Sequence, residues 1–165
     1  MEPPAGIEAR IFSHLNELGF PYEVLPCDPD LADTRLFCEH YGIDPDVSAN
    51  TILIVSKRPA GRYALCVTLA TTRLDVNHRV RDLLDVKKLS FASADETTSV
   101  TGMMLGGVTP FGVESPDMPI YVDERVLERD EIVVGGGSRS CKIRISPEVF
   151  RRLPRAEVVR DLALS

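Results

Sequence analysis

Long apolar runs are missing from this sequence. Segments such as Ile52–Val55 and Ile132–Val134 hold only a few apolar residues each, where a membrane-spanning helix needs about 20. Met1–Gly6 has no basic cluster leading into an apolar stretch, so no signal peptide is read and the expected compartment is the cytoplasm. Paired cysteines are missing too. Cys27, Cys38, Cys66 and Cys141 are scattered without a CxxC spacing, and reduced thiols are expected. Cys66, in an apolar strand-like segment, reads as a small buried hydrophobe. His14, His40 and His78 lie too far apart for a local metal site, and His14 and His78 read as exposed helix positions. Neither a metal nor any other cofactor is expected. A P-loop, a strand-to-helix GxGxxG and a GxSxG elbow are all absent, and no catalytic triad can be read from spacing.

What is present describes a globular chain. Hydrophobic residues make up 44% and charged residues 27% of 165 residues, a balance that packs rather than stays disordered. A chain of this size buries roughly 68–70% of its unfolded surface, enough for a core without staples. The net charge of −6 argues against a protein that coats nucleic acid non-specifically. The charge is unevenly spread. Residues 1–50 hold ten acidic side chains against Arg10 and Arg35, whereas residues 138–155 hold Arg139, Lys142, Arg144, Arg151, Arg152 and Arg155 against Glu148 alone. That basic third reads either as a phosphate-holding face or as a solvated exterior.

Periodicity supplies the elements. Ile7, Ile11, Leu15 and Leu18 recur at helical spacing up to Gly19, and Pro21–Leu25 alternates as a strand. Asp33 or Thr34 caps a second helix that stops at Gly42. Thr51–Ser56 and Tyr63–Leu69 form a hairpin through Lys57–Arg62. Asp75 opens a third helix with Val76, Val80, Leu83 and Leu84 on one face, and Lys87–Ala92 reads as a short strand. Ser93–Thr101 is a candidate helix. Ile120–Asp123, Glu131–Val134 and Cys141–Ile145 are strands, Ser146-Pro147-Glu148 opens a last helix, and Glu157–Leu162 forms a final strand or helix turn. No repeat or linker interrupts residues 1–165, which read as one domain. Strands outnumber the helices between them, predicting an α+β fold on a mixed, mostly antiparallel sheet.

Two glycine-rich loops are the chemical candidates. Gly106-Gly107-Val108-Thr109-Pro110-Phe111-Gly112 and Gly135–Ser140 can each aim backbone N–H groups at a carbonyl oxygen or a phosphate. Each can equally be a plain turn or hairpin tip.

Beyond these, Asp44–Leu53, Ala64–Thr68, Arg73–Asp75, Val86–Lys88, Gly102–Gly112 and Gly136–Arg139 resemble, in order and spacing, successive blocks of the YbaK family. This is the family of prolyl-tRNA synthetase-associated editing domains. The resemblance runs from about Ile7 to Leu153, and its most specific block is GGxTPxG, where the family has GGxSPxG. It implies a curved, partly open barrel-like sheet wrapped by helices. It also implies hydrolysis of the ester between an amino acid and the terminal adenosine of tRNA, with an aminoacyl-tRNA acceptor end as partner and a synthetase as a further one. The implied pocket lies beside Gly106, Gly107, Thr109, Pro110 and Gly112, with Thr34 near it and Arg139 on the second loop beside Gly135 and Gly136. The family's hallmark lysine aligns with Asn50, its loop tyrosine with Met103, an acid with Lys142, and an aromatic-type pocket position with Cys27. Lys57, seven residues past Asn50, is about 23 Å away by strand rise.

The expected activity is a free-standing aminoacyl-tRNA deacylase, with Asn50 orienting substrate and Gly106 and Gly107 donating N–H groups to the oxyanion. A module that binds an aminoacyl group or tRNA end without turnover is the alternative. Strand alternation predicts that Lys142 and Arg144 share a solvated face, and with the tRNA partner that the resemblance implies, this face is expected to contact its phosphates.

Overall fold

The computed structural model describes residues 6–165; most of the Met1–Gly6 segment weighed above as a leader lies outside them. The expected α+β architecture is present, as mixed sheets that do not close into a barrel. Helix α1 (Ile7–Leu18) buries Ile7, Ile11 and Leu15 and ends on Gly19 at φ 77°, a conformation glycine adopts without steric cost. Strand β1 (Tyr22–Pro26) follows, then α2 (Thr34–Tyr41), whose entry at Asp33 is extended and whose exit is Gly42.

The hairpin is longer than its sequence suggests. β2 (Ala49–Arg58) and β3 (Ala60–Leu69) pair from Ala49↔Leu69 to Lys57↔Ala60, leaving only a tight turn at Pro59. The polar tip residues Lys57, Arg58 and Arg62 lack the apolar pattern that marks a strand, so the pattern underestimates its length. After the short β4 (Arg73–Leu74), the predicted third helix begins as a π-type turn at Val76–Val80 and becomes α3 (Arg81–Leu84). β5 (Lys88–Phe91) and α4 (Ala94–Thr101) match their expected places, and Ser93 caps α4 by accepting from the N–H of Glu96 at 3.1 Å. β6 (Ile120–Asp123), β7 (Ile132–Gly135), β8 (Cys141–Ile145), β9 (Ala156–Val159) and β10 (Ala163–Leu164) complete the chain. The helix expected after Ser146 is a single 3₁₀ turn, Pro147–Arg151.

Two sheets carry the fold. The larger has the order β5-β2-β3-β6-β9, with β3–β6 and β6–β9 parallel and the other pairs antiparallel. The smaller, β1-β8-β7, is antiparallel throughout. Its strands β7 and β8 lie in the connection between β6 and β9, whereas β1 comes from near the start of the chain. The main core lies between the sheets and under α1, where Leu53, Leu65, Val67 and Ile120 meet Ile143, Phe111 and Phe150. Phe111 and Phe150 stack at 5.8 Å between centroids. The opposite face of the large sheet is covered by Val76, Val80 and Leu84, with Cys66 buried as expected. A third, small cluster of Cys27, Ala32, Phe37 and Val133 lies near the cavity described next. No helix among the described residues is long and apolar enough to cross a membrane.

Candidate functional site

Where β2 begins, the sheet has a gap. β5 takes up pairing only from Ile54 onward, and the carbonyl of Leu53 accepts from the N–H of Ala92 at the edge of that pairing. Thr51 has the same strand parity as Leu53, so its backbone N–H and C=O face the β5 side short of where β5 pairs, and β7 joins this edge only through the isolated parallel bridge Ser48↔Val133. Facing this open edge are the 104–108 turn, the end of β7 and the start of α2. Together they enclose a cavity of about 250 Å³ lined by Thr34, Asn50, Thr51, Gly106, Gly135 and Lys142, among others.

The polar groups in it are held by short bonds. The Thr34 hydroxyl donates to Asn50 Oδ1 at 2.5 Å, which turns the amide so that its two N–H donors remain for the cavity. The buried Thr51 hydroxyl has no hydrogen-bond partner among the described residues. Lys142 Nζ donates to the carbonyls of Ala32 at 2.6 Å and Gly106 at 2.5 Å and sits 5.4 Å from the centre of the Phe37 ring. Burial lowers its pKa from the ordinary lysine value. Gly106, at φ 89°, is in the region that favours glycine. No hydrogen bond within the described residues uses its N–H, whereas the N–H of Gly107 donates to Met104 O at 2.9 Å.

That last bond corrects one expectation. Gly107 cannot serve as an oxyanion donor, because its N–H is used in the turn and its carbonyl accepts from Gly137 N–H at 2.6 Å. A methyl group at Gly107 would run into the backbone of Ser138, and one at Gly135 into Gly107 and Val108. The two glycine-rich loops are packed backbone against backbone, and these glycines serve that approach.

The structure brings together Thr34, Asn50, Gly106, Gly135 and Lys142 and leaves the other sequence candidates around them. Cys27 is buried in the small cluster nearby, its thiol pKa raised by burial. Gly136 packs on Cys141. Thr109 and Pro110 are buried beneath the loop, Thr109 N–H donating to Met103 Sδ. Gly112 faces a separate hollow, where its N–H donates to His14 Nδ1 at 2.6 Å. His14 is therefore half-buried and bonded, not an exposed helix position. Arg139 reaches Pro29 O, Leu105 O and Asp33 Oδ1 at 2.8, 2.8 and 3.1 Å, tying the approach to α2 to the loop tip across the cavity mouth.

The expected solvated face is corrected at Lys142. Lys142 is 6% exposed because its side chain turns into the cavity. Arg144 is on the outside, paired to Glu23 across β1 and β8 at 2.8 Å. Residues that sequence reasoning passed over are Thr51 and Leu105. Thr51 lay in a resembling block beside Asn50, and Leu105 in the glycine-rich segment, but an unpaired strand edge has no sequence signature.

Comparison with known proteins agrees with this architecture. Residues 28–153 match the aminoacyl-tRNA editing domain family. The match covers well over half of the chain, which therefore belongs to that family. One solved structure, described as a candidate trans-editing enzyme for prolyl-tRNA synthetase, is 22% identical with a TM-score of 0.80, covering 98% of each chain. A second, described only as a hypothetical protein, is 22% identical with a TM-score of 0.81, covering 93% of this chain and 99% of the other. At that identity both similarities speak to the fold.

Proposed function

We propose that residues 1–165 act as one editing unit that hydrolyses, in trans, the ester joining a wrong amino acid to the terminal adenosine of tRNA. The observation that carries this reading is the donor-lined cavity on the open edge of β2. Asn50 Nδ2, Gly106 N–H and Lys142 Nζ are all donors, and they surround a space sized for a small aminoacyl group. Such a site suits an ester carbonyl, whose oxygen gains charge in the transition state. Asn50 orients the ester and Gly106 donates its N–H, without Gly107. Arg139 holds the rim against which the acceptor end rests. The partners are an aminoacyl-tRNA and, upstream, the synthetase that mischarges it in the cytoplasm.

The test is deacylation of a panel of mischarged tRNAs, read as released amino acid. Turnover of at least one, lost in Asn50→Ala, is the expected result. Saturable binding without turnover on any of them would assign the chain as a binding module, a reading that the neutral amide at position 50 favours.

A further inference from the structure

Lysine is rarely buried, and an ammonium removed from water without a counter-ion is costly. Lys142 is buried on β8 and forms no ion pair with a carboxylate among the described residues; its two bonds go to the neutral carbonyls of Ala32 and Gly106. Those carbonyls fix the nitrogen in place but leave its charge uncompensated, and they use two of its three N–H donors. Asp33 is the carboxylate that acts on it electrostatically, and it is exposed and engaged by Arg139. The cavity thus has a preformed positive charge beside Asn50 and Gly106. A phosphate, strongly hydrated, belongs at a rim. A carbonyl oxygen that becomes charged only during reaction suits a buried cation.

We infer that Lys142 binds the carbonyl oxygen of the reacting ester and takes up its negative charge as that oxygen becomes an oxyanion. The inference rests on the deacylase reading above and names the charged group that reading requires. Water oxygen bonds to the carbonyl carbon while the C=O electron pair moves onto the oxygen beside Lys142. Re-forming the C=O breaks the bond to the ribose oxygen, which leaves with one proton of the water. The second proton passes to solvent as the amino acid departs as a carboxylate. The same charge repels the substrate's α-ammonium, which must point away from β8.

Lys142 works only when protonated. Burial lowers its pKa, Arg139 adds in the same sense, and Cys27, Asp33 and Cys38 oppose. The acceleration over uncatalysed hydrolysis should therefore fall at alkaline pH, below the ordinary lysine pKa of 10.5. The experiment compares wild type, Lys142→Met and Lys142→Arg on a mischarged tRNA that the wild type hydrolyses, with thermal unfolding as a check on fold. Expected is a loss of about 10²–10³ in kcat for Lys142→Met with KM little changed. Lys142→Arg, which stays charged, should lack the alkaline limb. A merely structural lysine would produce no such limb, so the pH profile decides even if Lys142→Met unfolds. A Lys142→Met rate within threefold of wild type overturns the inference and leaves the deacylase reading standing, as does an alkaline limb shared by wild type and Lys142→Arg. No wild-type turnover on any mischarged tRNA overturns both.

Discussion

His14 is a single residue whose protonation state the fold selects. Its Nδ1 accepts from Gly112 N–H, which only the unprotonated nitrogen can do. Burial, the largest influence, lowers its pKa from 6.5, Arg155 adds to this, and Glu17 opposes. Because the folded pKa lies below the unfolded one, the stabilisation is present above about pH 6.5 and is lost as pH falls through the folded value. The thermal midpoint of the wild type should drop on acidification below pH 6.5 by more than that of His14→Gln, whose amide oxygen accepts at any pH. Equal slopes would remove His14 from the account. Thr34 sets Asn50 in a comparable way. Thr34→Val should lower deacylation several-fold through a misoriented amide, while stability changes by only about 0.5–1.5 kcal/mol, the net worth of one neutral hydrogen bond. Rates unchanged in Thr34→Val would show that Asn50 is oriented by something else. At this scale the sequence was legible for residue types and obscure for their partners. Asn50 and Thr34 were recognisable by resemblance, but the donor already used at Gly107 depends on a turn closure that spacing does not reveal.

At the scale of elements, strands followed their alternation because it is local, and Ser146 caps as expected, whereas Asp33 and Asp75 stand at N-cap positions without a side-chain cap bond. What local pattern misjudged was β8. Alternation correctly separated Lys142 from Cys141 and Ile143, yet the face it shares with Arg144 is solvated only at Arg144. Near Lys142, residues Pro29–Thr34 and the 104–107 turn close over the strand, held by Arg139. Two outcomes follow. Arg144→Ala breaks an exposed cross-strand pair with Glu23 and should cost about 0.2–1 kcal/mol, with the salt dependence of tRNA binding unchanged; a flatter salt slope would restore Arg144 as a phosphate contact. Gly107→Ala should lower the unfolding midpoint far more than its effect on turnover per folded molecule, because the new methyl meets Ser138's backbone instead of substrate. A stable Gly107→Ala protein with abolished turnover would contradict the loop-packing account.

Across the whole molecule, the class of fold was legible because composition, patterning and resemblance all pointed to it. The gap in the large sheet was not, since it arises from where β5 stops rather than from any residue in the gap. Phe150 is one of the large side chains of the main core, fully buried and stacked on Phe111. Phe150→Ala should cost about 3–5 kcal/mol in chemical denaturation, with loss of turnover only where the protein is unfolded. The pairing of β1 with β8 has a consequence in time. Its partners Tyr22 and Ile145 are far apart along the chain, and contacts of such long separation form late and slowly. During synthesis the acidic first third must wait for residues 132–145 before β1 has a partner and the cavity a floor. A nascent chain ending before β8 would expose the β1 edge and hold Asn50 without Lys142, so the cavity should assemble only after β8 clears the ribosome.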